Sequence, residues 1–191
     1  MGEKIDRRIR KTKAQLRAGL TKLMRQKSVK EITVKELVDE VDINRSTFYL
    51  HYTDINQMLD ALEEDLLNQI MNIIHTHPLN PLQETNFYFI QDIFTILAEN
   101  ADLCSALLGP NGDIAFVHQI EQIISDQYMK MFQSSSISNR MNLPYYYSFC
   151  LTGCVGIIKT WLKDGAKESP EEMAKLTFNL IQNSMQDLQK H

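Results

Sequence analysis

The sequence predicts an all-α fold in two parts: a small three-helix domain over residues 1–56 and a larger helical domain over residues 57–191. Three observations predict it. Apolar residues recur at three- and four-residue spacing nearly throughout, the mark of one buried helix face. Glycine is scarce, 7 in 191 residues, and no alternating polar and apolar run reads as a strand. Charge also divides the chain. Residues 1–30 hold eleven Lys/Arg against two Asp/Glu, a net +9, and residues 1–56 carry +5, whereas residues 57–191 carry −9. A basic end on an acidic chain suits a polyanionic partner for that end alone.

The first helix is expected from Asp6 to Lys27, with Ile9, Leu16, Leu20, Leu23 and Met24 on one face. Thr33 caps the second, and Glu36 three residues on completes a capping box. Its apolar face is Leu37, Val38 and Val41. The chain must turn at Asp42, and Asp tolerates a left-handed backbone better than most residues. Asn44 caps a third helix of little more than one turn, Arg45 to Tyr49, with Phe48 directed into the core. Asp54 caps a long helix to His75, with Leu59, Leu62, Leu66, Ile70, Ile73 and Ile74 inward; its first turns join the first domain and its remainder the second. His77 to Pro81 breaks that helix, because the residue before a proline is pushed out of helical space.

Residues 82–99 form an aromatic-rich helix, and a short one runs from Asp102 to Leu108, stopped by Gly109-Pro110-Asn111-Gly112. Asp113 caps a helix to Phe132, and residues 134–139 form a loop. Pro144 opens a helix to Asp164, stopped by Gly165. Ser169 caps the last helix, with Pro170 in its first position and Glu171 and Glu172 in its first turn. The apolar stripe there runs through Met173, Leu176, Leu180 and Leu188.

Cap, helix, turn, cap, short helix is the pattern of a helix-turn-helix, whose second helix enters the DNA major groove. Arg45 can reach guanine O6 and N7 together; Ser46 and Thr47 can meet a base edge or a thymine methyl. Thr33 can offer its backbone N–H and hydroxyl to a phosphate. Arg7, Arg8 and Arg10 lie just ahead of the motif and can attract the DNA backbone without regard to sequence. The plainer alternative for each is a cap or a solvated face.

The segment from residue 9 to 62 resembles the DNA-binding domain of the TetR family of bacterial transcriptional regulators. The residues that carry the resemblance are Ile32-Thr33-Val34-Lys35-Glu36-Leu37, Ile43-Asn44-Arg45-Ser46-Thr47-Phe48-Tyr49 and His51-Tyr52. The resemblance implies about nine helices, phosphate contacts from Tyr49 and His51, and Asn44 within the DNA-facing segment. Two departures stand out: Asp42 occupies a turn position where the family usually has Gly, and residues 53–56 lack the Lys the family often uses to hold a phosphate. A softer pattern, from Tyr145 through Trp161 and Gly165 to Glu172, resembles the subset that includes regulators of dihydroxyacetone utilisation.

The resemblance implies a homodimer on a pseudo-palindromic operator, a ligand-responsive repressor acting in the cytoplasm. The alternative is a protein-interaction module of the same fold, a co-activator that works through a partner protein. In this family the two C-terminal helices, residues 144–164 and 170–188, form a four-helix bundle with their copy; Gly153 and Gly156 would permit close approach, and Leu176, Leu180 and Leu188 would supply apolar area. Aromatics beyond what a scaffold needs suggest an effector pocket, with Tyr88, Phe94 and Phe149 as its lining. The net −9 around them favours a neutral or cationic organic effector. Tilting of the long fourth helix would convey its binding.

Cys104, Cys150 and Cys154 lie in apolar helical contexts and read as reduced core thiols. His75 and His77 read as partners of a helix end; no metal and no cofactor are expected. No phosphate loop and no G-x-S-x-G elbow support an enzyme. The chain is charged from Glu3 onward, so no secretory leader is expected, and the uncharged stretch 141–158 is too polar and broken to span a membrane.

Overall fold

A computed structural model describes residues 2–77, 85–133 and 143–189, with side chains at 7–77, 86–126 and 144–184. Among these residues the architecture is helical throughout: α1 (Gly2–Met24), α2 (Val34–Glu40), α3 (Arg45–Tyr49), α4 (Ile55–Thr76), α5 (Thr85–Glu99), α6 (Ala101–Leu107), α7 (Ile114–Gln133), α8 (Leu143–Lys163) and α9 (Pro170–Gln189). A 3-10 turn, Val29–Glu31, stands between α1 and α2. The expected proline break and the 134–139 loop fall outside the described residues, apart from His77.

Two compact units emerge. One takes in the chain to Leu66 together with Asp102–Phe116; the other takes in Leu67–Ala101 and the chain from Val117. Thus α4 gives Ile55–Leu66 to the first unit and the rest to the second, and α6 belongs with the first. The segment 102–116 joins it for a packing reason: Leu103, Cys104, Ala106, Leu107 and Phe116 are all buried. Arg25 also donates to Asp102 Oδ1 at 2.6 Å, and Asn111 Nδ2 to the Arg25 carbonyl at 3.4 Å.

The first unit's core is Leu16, Leu20, Leu23 and Met24 of α1, then Ile32, Leu37, Val38, Phe48 and Tyr52, then Ile55, Met58, Leu59, Leu62 and Leu66 of α4. At Gly19 a Cβ would collide with Val41 Cγ1, so glycine is what lets α1 and α2 approach. Ile9 does not join this core; it is 38% exposed. Ten residues of helix put it about 15 Å along the axis from Gly19, where α1 meets α2. The first helix also stops earlier than expected, at Met24, where Gln26 and Lys27 N–H both turn back to the Leu23 carbonyl.

In the second unit α5 packs most extensively on α9. Phe94 meets Trp161 edge-on at 5.3 Å, and Phe87 meets Phe178 at 5.9 Å. Trp161 Nε1–H donates to the Glu168 carbonyl at 3.1 Å, and Tyr146 Oη–H ties α8 to the Ile181 carbonyl of α9 at 3.2 Å. His77 Nε2 lies 2.8 Å from Asp92 Oδ2, fixing the end of α4 to α5. α8 ends on two left-handed residues, Gly165 (φ 88°) and Ala166 (φ 51°). Ser169 then starts α9 with a full capping box: its N–H and Oγ–H both donate to Glu172 Oε2 at 2.8 Å. Those bonds hold the Glu172 carboxyl below its usual range.

Candidate nucleic-acid interface

The geometry of the helix-turn-helix follows from its caps. Thr33 Oγ1 accepts from the Glu36 N–H at 3.2 Å, while the Thr33 N–H and hydroxyl both donate to Glu36 Oε2 at 2.9 Å. Lys27 Nζ closes on the other oxygen, Glu36 Oε1, at 2.6 Å. Lys27 first, then Thr33, lowers the Glu36 carboxyl to about 2. The two Thr33 donors, expected to face a phosphate, are therefore directed inward to Glu36.

At the turn, Asp42 takes φ 52°, the left-handed backbone foreseen for it. The Ile43 N–H then reaches back to the Val38 carbonyl at 3.0 Å, the six-to-one bond that seals a helix end. Asn44 caps α3, its Oδ1 accepting from the Ser46 N–H at 2.9 Å and the Ser46 hydroxyl at 3.0 Å. Asp54 and Gln57 brace the start of α4 reciprocally: Gln57 N–H donates to Asp54 Oδ1 at 2.9 Å, and Thr53 N–H to Gln57 Oε1 at 2.6 Å.

Phe48 is fully buried and anchors α3, with Tyr49 edge-on at 5.5 Å and Tyr52 at 5.9 Å. Burial and the charge of Asp65 push the Tyr52 hydroxyl up. Asn44, Arg45, Ser46 and Tyr49 are exposed; Thr47 and His51 are half-buried. Arg7, Arg8 and Arg10 are exposed on α1. Lys13 Nζ lies 5.9 Å from the Tyr52 ring, which ties α1 to the end of the α3 segment. So the structure brings Arg45, Ser46, Tyr49 and His51 onto one short, capped and anchored element. Sequence reasoning missed Leu50. A leucine between Tyr49 and His51, too polar a neighbourhood for a core position, was the available signal.

The other expected site residues lie in the second unit. Phe94 is in the core, 2% exposed, whereas Tyr88 and Phe149 stand at the surface. Gly153 and Gly156 are exposed, and a Cβ on either would meet nothing within 4 Å. Leu176 and Leu180 are half exposed; the Leu188 side chain lies outside the described residues. Cys104 and Cys154 are pushed up to about 12 and about 11, mainly by burial. Among the described residues no group of three or more His, Cys, Asp or Glu could hold a metal ion, and no helix is long and apolar enough to cross a membrane.

Residues 84–183 match the TetR family described as the transcriptional regulator C-terminal region, which is just over half the chain. The chain belongs to the TetR family of transcriptional regulators. A curated relative, the uncharacterized HTH-type transcriptional regulator YxbF of Bacillus subtilis (strain 168), is 21% identical over 88% of this chain. The match spans 44% of YxbF, so this chain accounts for less than half of that protein's length. A TetR transcriptional regulator from Streptococcus agalactiae 2603V is similar in fold, at TM-score 0.55 and 20% identity, over 95% of this chain and 99% of that one. The transcriptional regulator FadR of Bacillus subtilis, solved with stearoyl-CoA, is similar at TM-score 0.59 and 14% identity, over 88% and 96%. The all-helical TetR fold expected from the sequence is the fold observed.

Proposed function

We propose that this TetR-family regulator is a cytoplasmic homodimer that binds a pseudo-palindromic DNA operator through α3 and represses until an effector binds. The observation that supports it is the exposure of Arg45, Ser46 and Tyr49 together on a helix braced from beneath by Phe48. Arg45 reads guanine, and Ser46 and Thr47 meet neighbouring base edges. Tyr49 and His51 hold phosphates, and Asn44 and Thr33 fix the two helix starts. Arg7, Arg8 and Arg10 supply the sequence-independent attraction.

The dimer forms through α8 and α9. Tyr145, Phe149, Gly153 and Gly156 recur along one exposed side of α8, and Leu176 and Leu180 along α9. Contiguous exposed apolar surface of this kind is usually covered, and Leu188 continues the register of Leu180. Phe149 then serves the interface rather than an effector pocket. Tyr88 and Phe94 leave α5 as the helix assigned to the effector. The net −9 of residues 57–191 favours a neutral or cationic organic molecule, and long-chain acyl-CoA belongs in the same screen because FadR of B. subtilis holds stearoyl-CoA.

Selection of bound fragments from a genomic pool tests this directly. The expected product is a pseudo-palindrome with half-sites about one helical turn apart, bound less tightly as salt rises. Arg45→Ala should cost ~1–3 kcal/mol and relax one base position per half-site. Absence of any salt-dependent binding would leave the co-activator alternative, in which a partner protein supplies the DNA contact.

A further inference from the structure

We propose that Leu50 reads a base: its side chain packs against the C5 methyl of one thymine in each half-site. The proposal rests on operator binding through α3 and specifies the base chemistry of that contact. Phe48 sets the inward direction of α3, since its ring is fully buried. At about 100° per residue, Arg45 and Tyr49 lie about 60° and about 100° from Phe48, whereas Ser46 and Leu50 lie at about 160° and about 200°. The pair directed most squarely away from the core is therefore Ser46 and Leu50. They stack one turn apart, with the Leu50 N–H on the Ser46 carbonyl at 3.2 Å.

Leu50 is 80% exposed, more than any other exposed large apolar residue of the described chain. Its neighbour on the ridge has no hydroxyl proton to spare, because Ser46 Oγ–H is donated to Asn44 Oδ1. The ridge thus presents a branched apolar tip and a hydroxyl oxygen that can only accept. On the major-groove edges of base pairs the one apolar group is the thymine methyl. The surroundings favour DNA over an apolar protein face: Arg45 is exposed five residues back, and Lys13 stands over the Tyr52 ring two residues on. Cations flanking an apolar tip match a groove floor bordered by phosphates.

The test uses the selected operator duplex with each thymine replaced in turn by deoxyuridine, which removes only the methyl group. Wild-type protein should lose about fourfold in affinity per half-site at one thymine position and at that position alone. Leu50→Ala should bind the thymine and uracil duplexes equally, and Leu50→Met should restore the difference. A Leu50→Ala protein that keeps the full uracil penalty overturns the proposal and gives the apolar tip to another partner. So does a wild-type protein indifferent to uracil at every position. Failure of wild-type protein to bind any duplex is a separate outcome: it removes operator binding itself, and this inference with it.

Discussion

Glu63 on α4 is a carboxylate in the wrong place, and replacing it should make the protein more stable above neutral pH. Its Oε1 is buried with no hydrogen-bond partner among the described residues. Burial first, then Asp113 and Asp60, raises the group from 4.5 to about 7. A carboxyl raised on folding binds its proton more tightly in the native state than in the unfolded chain. Stability should therefore be intact below pH 4.5, fall as pH rises through the window to about 7, and stay low above it. Taken whole, that displacement is about 3 kcal/mol. Glu63 is only partly buried, and solvent screening reduces the expected effect to about 1–2 kcal/mol. Urea unfolding of wild type and Glu63→Gln at fixed protein concentration, at pH 5 and pH 8, isolates the group from every other titration. The Gln variant should be about 1–2 kcal/mol more stable than wild type at pH 8 and nearly equal to it at pH 5. A difference that does not change with pH, or a less stable variant at pH 8, would refute the assignment of an unpaired carboxylate.

Asp42→Gly should stabilise the protein by about 0.5–1 kcal/mol in urea unfolding, because the residue already sits at φ 52°; a loss would mean that its side chain has a role the turn does not require. Replacing Arg7, Arg8 and Arg10 together with Gln should weaken binding to every DNA sequence alike and flatten the salt slope of the dimer, which loses two copies of each, by up to about 5, which competition titrations across salt concentrations would measure. Leu180→Asp acts twice in a symmetric interface and should give monomers in sedimentation; an unaltered dimer would move the interface away from α9.

The local chemistry was legible in advance because it is written within three or four residues. The box at Thr33, the caps at Asn44 and Ser169, the left-handed turn at Asp42 and the buried ring of Phe48 all formed as expected. Contacts set by distant partners were not legible. Helical spacing put Ile9 on the same face as Leu16, and nothing in the spacing says that Ile9 stays exposed. Likewise Thr33 offers the same donors whether a phosphate or Glu36 receives them; Lys27, nine residues before Glu36, pins that carboxylate in place. Aromatic content marked α5 and α8 as unusual, but only packing separates Phe94 in the core from Tyr88 and Phe149 on the surface. Leu50 escaped notice because an exposed leucine carries little information until the direction of its helix is known.

The inclusion of Asp102–Phe116 in the N-terminal unit has a consequence for how the chain is made. Translation delivers the helix-turn-helix first, yet the residues that complete its unit come from a segment that starts thirty-six positions after Leu66. At roughly 5–20 residues per second, the ribosome takes about 3–10 s to go from Leu66 to Phe116. For that interval the unit lacks Leu103, Leu107 and Phe116, all buried in the finished fold. A nascent chain paused before residue 102 would therefore be a substrate for chaperones or proteases, although the whole helix-turn-helix had already been synthesised.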